Sequence, residues 1–104
     1  MWIVSGTGLT MTEGDYGIAL PVNLSGFNFI EGDTIRYTFK EVPNAGVILQ
    51  KDFAAGGHID LAFTAEESAK FRVGNYVYSV DWFREGSYLC NILAQATFKV
   101  VDKI

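Results

Sequence analysis

The sequence predicts an all-β domain. Three observations point there: apolar residues recur with a period of two, Gly, Asn and Asp punctuate the chain at short intervals, and only one short segment carries helix signals. At 104 residues the chain is long enough to bury a core as one domain, residues 1–104. Its 49% apolar and 14% aromatic content excludes a disordered tail.

Taken in order, residues 18–24 place Ile18, Leu20, Val22 and Leu24 on one face of a strand. Pro21, on the other face, cannot donate to a ladder and puts this strand at a sheet edge. Residues 33–40 (DTIRYTFK) alternate Ile35, Tyr37 and Phe39 with Thr34, Arg36, Thr38 and Lys40, a half-buried strand. Segments 47–53 (VILQKDF) and 58–63 (HIDLAF) flank AAGG and predict a hairpin, with Ile59, Leu61 and Phe63 pointing one way.

Residues 64–70 (TAEESAK) break the period. Thr64 and Glu67 have the spacing of a capping box, so one short helical turn is expected, ending before Gly74. Residues 75–83 (NYVYSVDWF) are rich in aromatic and β-branched side chains and lead through REGS into SYLCNILAQ, a second hairpin with Gly86 in its turn. The closing ATFKVV puts Ala96, Phe98 and Val100 on one face. About seven short strands with turns between them predict an antiparallel immunoglobulin-like β-sandwich with a helical turn near 65–71; a small closed barrel is the alternative.

Charge and cysteine usage narrow the function. The net charge is −4, and the eight Lys and Arg residues are scattered from Arg36 to Lys103 without a stripe, which argues against nucleic acid. Cys90, the single cysteine, excludes an intrachain disulfide. The N-terminal MWIVSGTGLTMTEGD has neither the basic nor the apolar region of a signal peptide, and no run is long enough for a membrane helix. Folding in a reducing cytosol is expected.

Four features could carry chemistry. Glu-Gly-Asp occurs twice, as Glu13–Asp15 and Glu31–Asp33, and four converging carboxylates could hold calcium. Turn chemistry explains the same residues more simply: Gly14 and Gly32 supply positive φ, and Asp15 and Asp33 bond backbone N–H groups just after the turn as a strand begins. His58, with Asp60 two residues on, could belong to a triad, but no GxSxG elbow exists and both fit the solvated face opposite Ile59 and Leu61. Cys90 lies in an apolar strand and reads as core packing. The GTG (6–8) and AAGG (54–57) stretches lack the Lys-Ser/Thr of a phosphate loop and read as turns. No catalytic residue, metal site or cofactor site is therefore expected.

The aromatic surplus is the remaining signal. Tyr76, Tyr78, Val80 and Trp82 share one strand face, and Val77, Ser79, Asp81 and Phe83 the other, so Trp82 or Phe83 lies near the surface. Trp2, Trp82, Phe83 and Tyr88 are the candidate interface residues, because interfaces favour large aromatics; all four could instead fill a thick core.

The succession of Phe27 with EGDTIRYTFK (31–40), ILQK (48–51), HIDLAFTAEESAKFRVGNYVYSVDWFREG (58–86) and ATFKVVD (96–102) resembles the small immunoglobulin-like domain at the N-terminus of baseplate upper proteins of phages and prophages of Gram-positive bacteria. TAEESAKF takes the place of that family's helical turn and GNYVYSVDWF its G-x-Y-x-Y element, although Ser79 follows Tyr78 where the family has Asp, and REGS replaces a DG turn. The resemblance implies a non-enzymatic virion structural or assembly protein of a tail, baseplate or head–tail joint. It would bind other phage structural proteins or itself, in the virion or, before assembly, in the host cytoplasm, with neither nucleic acid nor membrane as partner. The alternative function is a carbohydrate- or receptor-binding sandwich using Trp82 or Tyr88 as a stacking platform.

Overall fold

The computed structural model describes residues 2–24, 26–42, 45–56 and 58–102. The expected AAGG connection ends on Gly57, and the basic scatter on Lys103, both outside the described residues. The strands are β1 (Trp2–Ser5), β2 (Gly8–Thr12), β3 (Leu20–Asn23), β4 (Thr34–Lys40), β5 (Val47–Ala54), β6 (His58–Leu61), β7 (Gly74–Arg84) and β8 (Ser87–Val101), with one helical turn, α1 (Ala65–Ser68). They form a six-stranded sheet in the order β1-β2-β8-β7-β4-β5 and a two-stranded sheet of β3 and β6.

The all-β expectation holds, but the large sheet is mixed. β2 runs parallel to β8, with Leu9 opposite Phe98 and Met11 opposite Val100, while its other pairings are antiparallel. These facing apolar residues are all buried, so the β1–β2 hairpin extends the core along the edge of β8. The sheet does not close into a barrel; β1 and β5 are its free edges.

β4 lies between β5 and β7, and its alternation works as the sequence requires: Ile35, Tyr37 and Phe39 are at most 3% exposed. Phe39 is the hub of the core. Its ring meets Phe63, Phe71 and Phe98 at centroid distances of 5.5, 5.6 and 5.2 Å, three of them edge-on, the arrangement that the ring quadrupole favours. Ile59, Leu61 and Phe63 reach the same core from β6 and the segment after it.

The hairpin expected across AAGG does not form. β5 pairs with β4 and β6 with β3, so the two segments belong to different sheets. The physical reason is core geometry: Phe53 and Ile59 enter one core from opposite layers, which adjacent strands of one sheet could not do. The expected strand at 18–24 shortens to Leu20–Asn23, and Ile18 is exposed, its carbonyl accepting the Trp2 indole N–H at 3.0 Å.

The second hairpin forms through a two-residue turn, Glu85 (φ 53°) and Gly86 (φ 77°), between the paired Arg84 and Ser87. Two positive φ values match the strand twist in a type I′ turn. β8 then slips register against β7 three times. The slip between Tyr78 and Val80 leaves Ser79 facing Ala94 and Gln95, where Gln95 takes φ 50°, a bulge that bends the strand and sharpens its twist.

The capping box is present in full. Thr64 Oγ1 accepts from the Glu67 N–H, and Glu67 Oε1 accepts from the Thr64 N–H at 2.9 Å. Lys51, inward-facing on β5, reaches Glu67 at 2.7 Å and the Ala62 carbonyl, tying α1 to the large sheet. Burial opposes ionisation of Glu67, but Lys51 and the Thr64 N–H outweigh it and hold the carboxyl below its ordinary value.

Candidate functional site

The outward side of the large sheet is built from the alternate residues of its strands. Arg36 on β4, Asp52 on β5 and Asp81 and Phe83 on β7 share this face, because the ladder pairs Arg36 with both Asp52 and Asp81. Arg36 makes a two-point bridge to Asp52, Nε to Oδ1 at 2.8 Å and Nη2 to Oδ2 at 3.1 Å. Hydrogen bonding to Asp52 raises the Arg36 pKa above its ordinary value. The fixed guanidinium lies 4.4 Å from the centre of the Phe83 ring, within cation–π range.

Tyr88, opposite Phe83 in the β7–β8 ladder, packs against it at 5.9 Å with the rings nearly perpendicular, yet stays 59% exposed. Leu89 beside it is 43% exposed. On the next rung Asn91 donates to Asp81 at 2.8 Å. The result is an exposed aromatic and apolar corner whose floor is held by an ion pair. Aromatics and Arg of this kind dominate protein contact surfaces.

Of the four expected interface residues, the structure brings Phe83 and Tyr88 together and separates the other two. Trp82 is buried, which removes it as a contact or sugar-stacking residue. Its ring packs against Phe29 and Phe27 at 4.8 and 6.1 Å, and its indole N–H donates to Asp33 at 2.9 Å. Trp2 is half-buried against Phe63 and Phe98.

The two Glu-Gly-Asp turns differ. Gly14 and Gly32 do take positive φ, 84° and 88°. The first copy, however, ends β2 instead of starting a strand: the Glu13 N–H extends the parallel ladder to the Val101 carbonyl, and the Asp15 N–H closes back on Thr12. The second copy does lead into β4, but Asp33 accepts from the Ile30 N–H, three residues before it, not from one after it. Its buried carboxylate also takes two hydrogen bonds from Arg84, at 2.9 and 3.0 Å. Those Arg84 contacts hold the Asp33 carboxyl far below the ordinary carboxylate value, against the opposing effect of burial. Sequence reasoning missed this centre because its partners lie 49 and 51 positions away.

The remaining candidates resolve simply. His58 is exposed, with Nδ1 3.2 Å from Asn23 Oδ1 and Nε2 2.8 Å from Asp60 Oδ1; neither partner is a nucleophile. Cys90 is half-buried opposite Trp82. Among the described residues no three His, Cys, Asp or Glu side chains gather where they could hold a metal ion. No helix among them is long and apolar enough to cross a membrane.

No family model matches the chain, and no curated protein or solved structure shows a significant similarity to it.

Proposed function

We propose that this chain is an immunoglobulin-like β-sandwich that serves as a non-enzymatic structural or assembly component of a phage or prophage particle, in a tail, baseplate or head–tail joint. The observation that carries the contact role is the corner of Phe83, Tyr88 and Leu89 braced by Arg36 and Asp52. An exposed Tyr and Leu beside a half-buried Phe that covers a preorganised Arg suit repeated docking against protein surfaces.

Strand order supports the immunoglobulin-like reading. In that arrangement one sheet holds G, F, C and C′ and the other holds B and E. β8-β7-β4-β5 follow the first order and β3-β6 the second, with α1 between the strands that would be E and F. Near the start of β7, the Tyr76 hydroxyl accepts from the Arg72 N–H and donates to the Arg72 carbonyl, each at 2.9 Å. A Tyr near the start of strand F that bonds back to the backbone just upstream is a feature of such domains, so this pair supports the reading. The resemblance of residues 27–102 to baseplate upper proteins supplies the phage context.

Docking in such particles occurs in rings, so self-association or binding to a ring of partners follows. Size-exclusion chromatography with light scattering, on the chain alone and mixed with the products of neighbouring genes, tests this. A strict monomer that binds none of them contradicts it. A carbohydrate- or receptor-binding role is the second reading, favoured by one observation: Tyr88 is exposed beside the polar Arg36, Asp52 and Asn91. Selective glycan-array binding lost in Tyr88→Ala would establish it.

A further inference from the structure

On the opposite side of the large sheet, β3 does not pack tightly against β4, β7 and β8. A cavity of about 330 Å³ remains between Leu20, Val22 and Leu24 on one wall and Tyr37, Val80 and Leu93 on the other. That size falls at the lower end of the roughly 300–1,000 Å³ of small-molecule sites. No charged residue lines it.

Two tyrosines stand in this lining, stacked 6.1 Å apart and nearly parallel. Tyr78 has a partner, since its hydroxyl donates to the Thr7 carbonyl. Tyr37 is only 3% exposed, and its hydroxyl has no hydrogen-bond partner among the described residues. Ser68 Oγ is the one fully enclosed side-chain oxygen or nitrogen without a partner among the described residues, so the Tyr37 oxygen keeps some accessible surface and can donate to a molecule that enters the cavity. Burial pushes the Tyr37 pKa up to about 12, so near neutral pH the group is a neutral donor.

We propose that this cavity is a binding site for a small, uncharged, mainly apolar molecule whose single oxygen, a ketone, ether or hydroxyl, accepts the Tyr37 O–H. The lining selects against an ion, because a charge buried there would have no counter-charge. A peptide strand added along β3 fits less well: Pro21 offers no N–H to a new ladder, the device by which proteins blunt an edge. The site goes beyond the contact role proposed above, and Phe83 and Tyr88 lie on the other face of the sheet, so either can fail alone.

The neutral dye N-phenyl-1-naphthylamine, titrated into the full chain, is the probe, displaced in turn by 2-octanone, octane and octanoate. The dye should enter. 2-Octanone should displace it about fivefold more tightly than octane, the factor that one neutral hydrogen bond gives. Octanoate should fail. Tyr37→Phe should keep dye binding and erase the preference for the ketone. Leu93→Trp and Val22→Phe fill the cavity from opposite walls, and whichever folds should lose the dye. Amide shifts on adding 2-octanone should cluster at Val22, Tyr37 and Leu93. Absence of dye uptake by the folded chain would mean a cavity holding water alone and would overturn the proposal. So would equal displacement by ketone and alkane, or shifts centred on Tyr88, which would place the probe on the contact surface.

Discussion

Replacing Tyr76 by Phe removes one oxygen and should visibly loosen the fold. The ring packs edge-on against Phe71 at 5.2 Å and near Phe98 at 6.1 Å, and Phe retains both contacts. What disappears is the hydroxyl pair to Arg72, which closes the chain between α1 and β7. A neutral hydrogen bond contributes about 0.5–1.5 kcal/mol net, and the exposed Arg72 peptide can recruit water in its place, so the two together are worth about 1–2 kcal/mol. At about 4–8 °C per kcal/mol for a domain near 100 residues, the melting temperature should fall by about 4–16 °C. Calorimetry and urea titration measure it, with an unchanged m-value showing that only stability moved. Native-state hydrogen exchange supplies an independent reading, because the Arg72 amide should lose protection. A melting temperature within 1 °C of the parent, with Arg72 equally protected, would refute the assignment of a working corner.

Other consequences follow from the same geometry. Asp33 ionises more readily in the folded than in the unfolded chain, where its ordinary value is 3.8. A depressed carboxyl contributes stability above the unfolded value and loses it as pH falls toward the folded one. The melting-temperature gap between the parent and Asp33→Asn should therefore be full above about pH 5 and close toward pH 2; a constant gap over that window contradicts it. Thr64→Ala removes the N-cap side chain and should cost about 1 kcal/mol in denaturant unfolding. Millimolar calcium should leave the melting temperature unchanged, since Arg84 already occupies Asp33 and the other turn acids do not gather with it; a substantial rise would reopen a metal site.

What the sequence could convey follows from the range of each signal. Period-two alternation correctly placed Ile35, Tyr37, Phe39, Ile59, Leu61, Phe98 and Val100 inside, because it is local to each strand. The Thr64–Glu67 box and the Glu85–Gly86 turn were legible for the same reason, as both are complete within four residues. Pairing is not local. Nothing in VILQKDF says that it lies beside DTIRYTFK instead of HIDLAF, and β1 and β2, four and five residues long, are too short for their pattern to announce a parallel neighbour. The face of β7 stayed ambiguous because Trp82 and Phe83 are both large and apolar. A distant group decides it, the Asp33 carboxylate that receives the indole N–H and draws Trp82 inward. Phe83 is thereby turned outward, to Arg36 and Tyr88.

The contact role of that outward corner is the central claim. Tyr88→Ala removes an exposed side chain, so its stability should stay within about 0.5 kcal/mol of the parent, and any change in assembly reports contact alone. Light scattering of the parent and of Tyr88→Ala, alone and with the products of neighbouring genes, should show a complex or oligomer for the parent that the variant loses while remaining folded. A parent that stays monomeric in every mixture, or a Tyr88→Ala that assembles as well as the parent, would contradict the account.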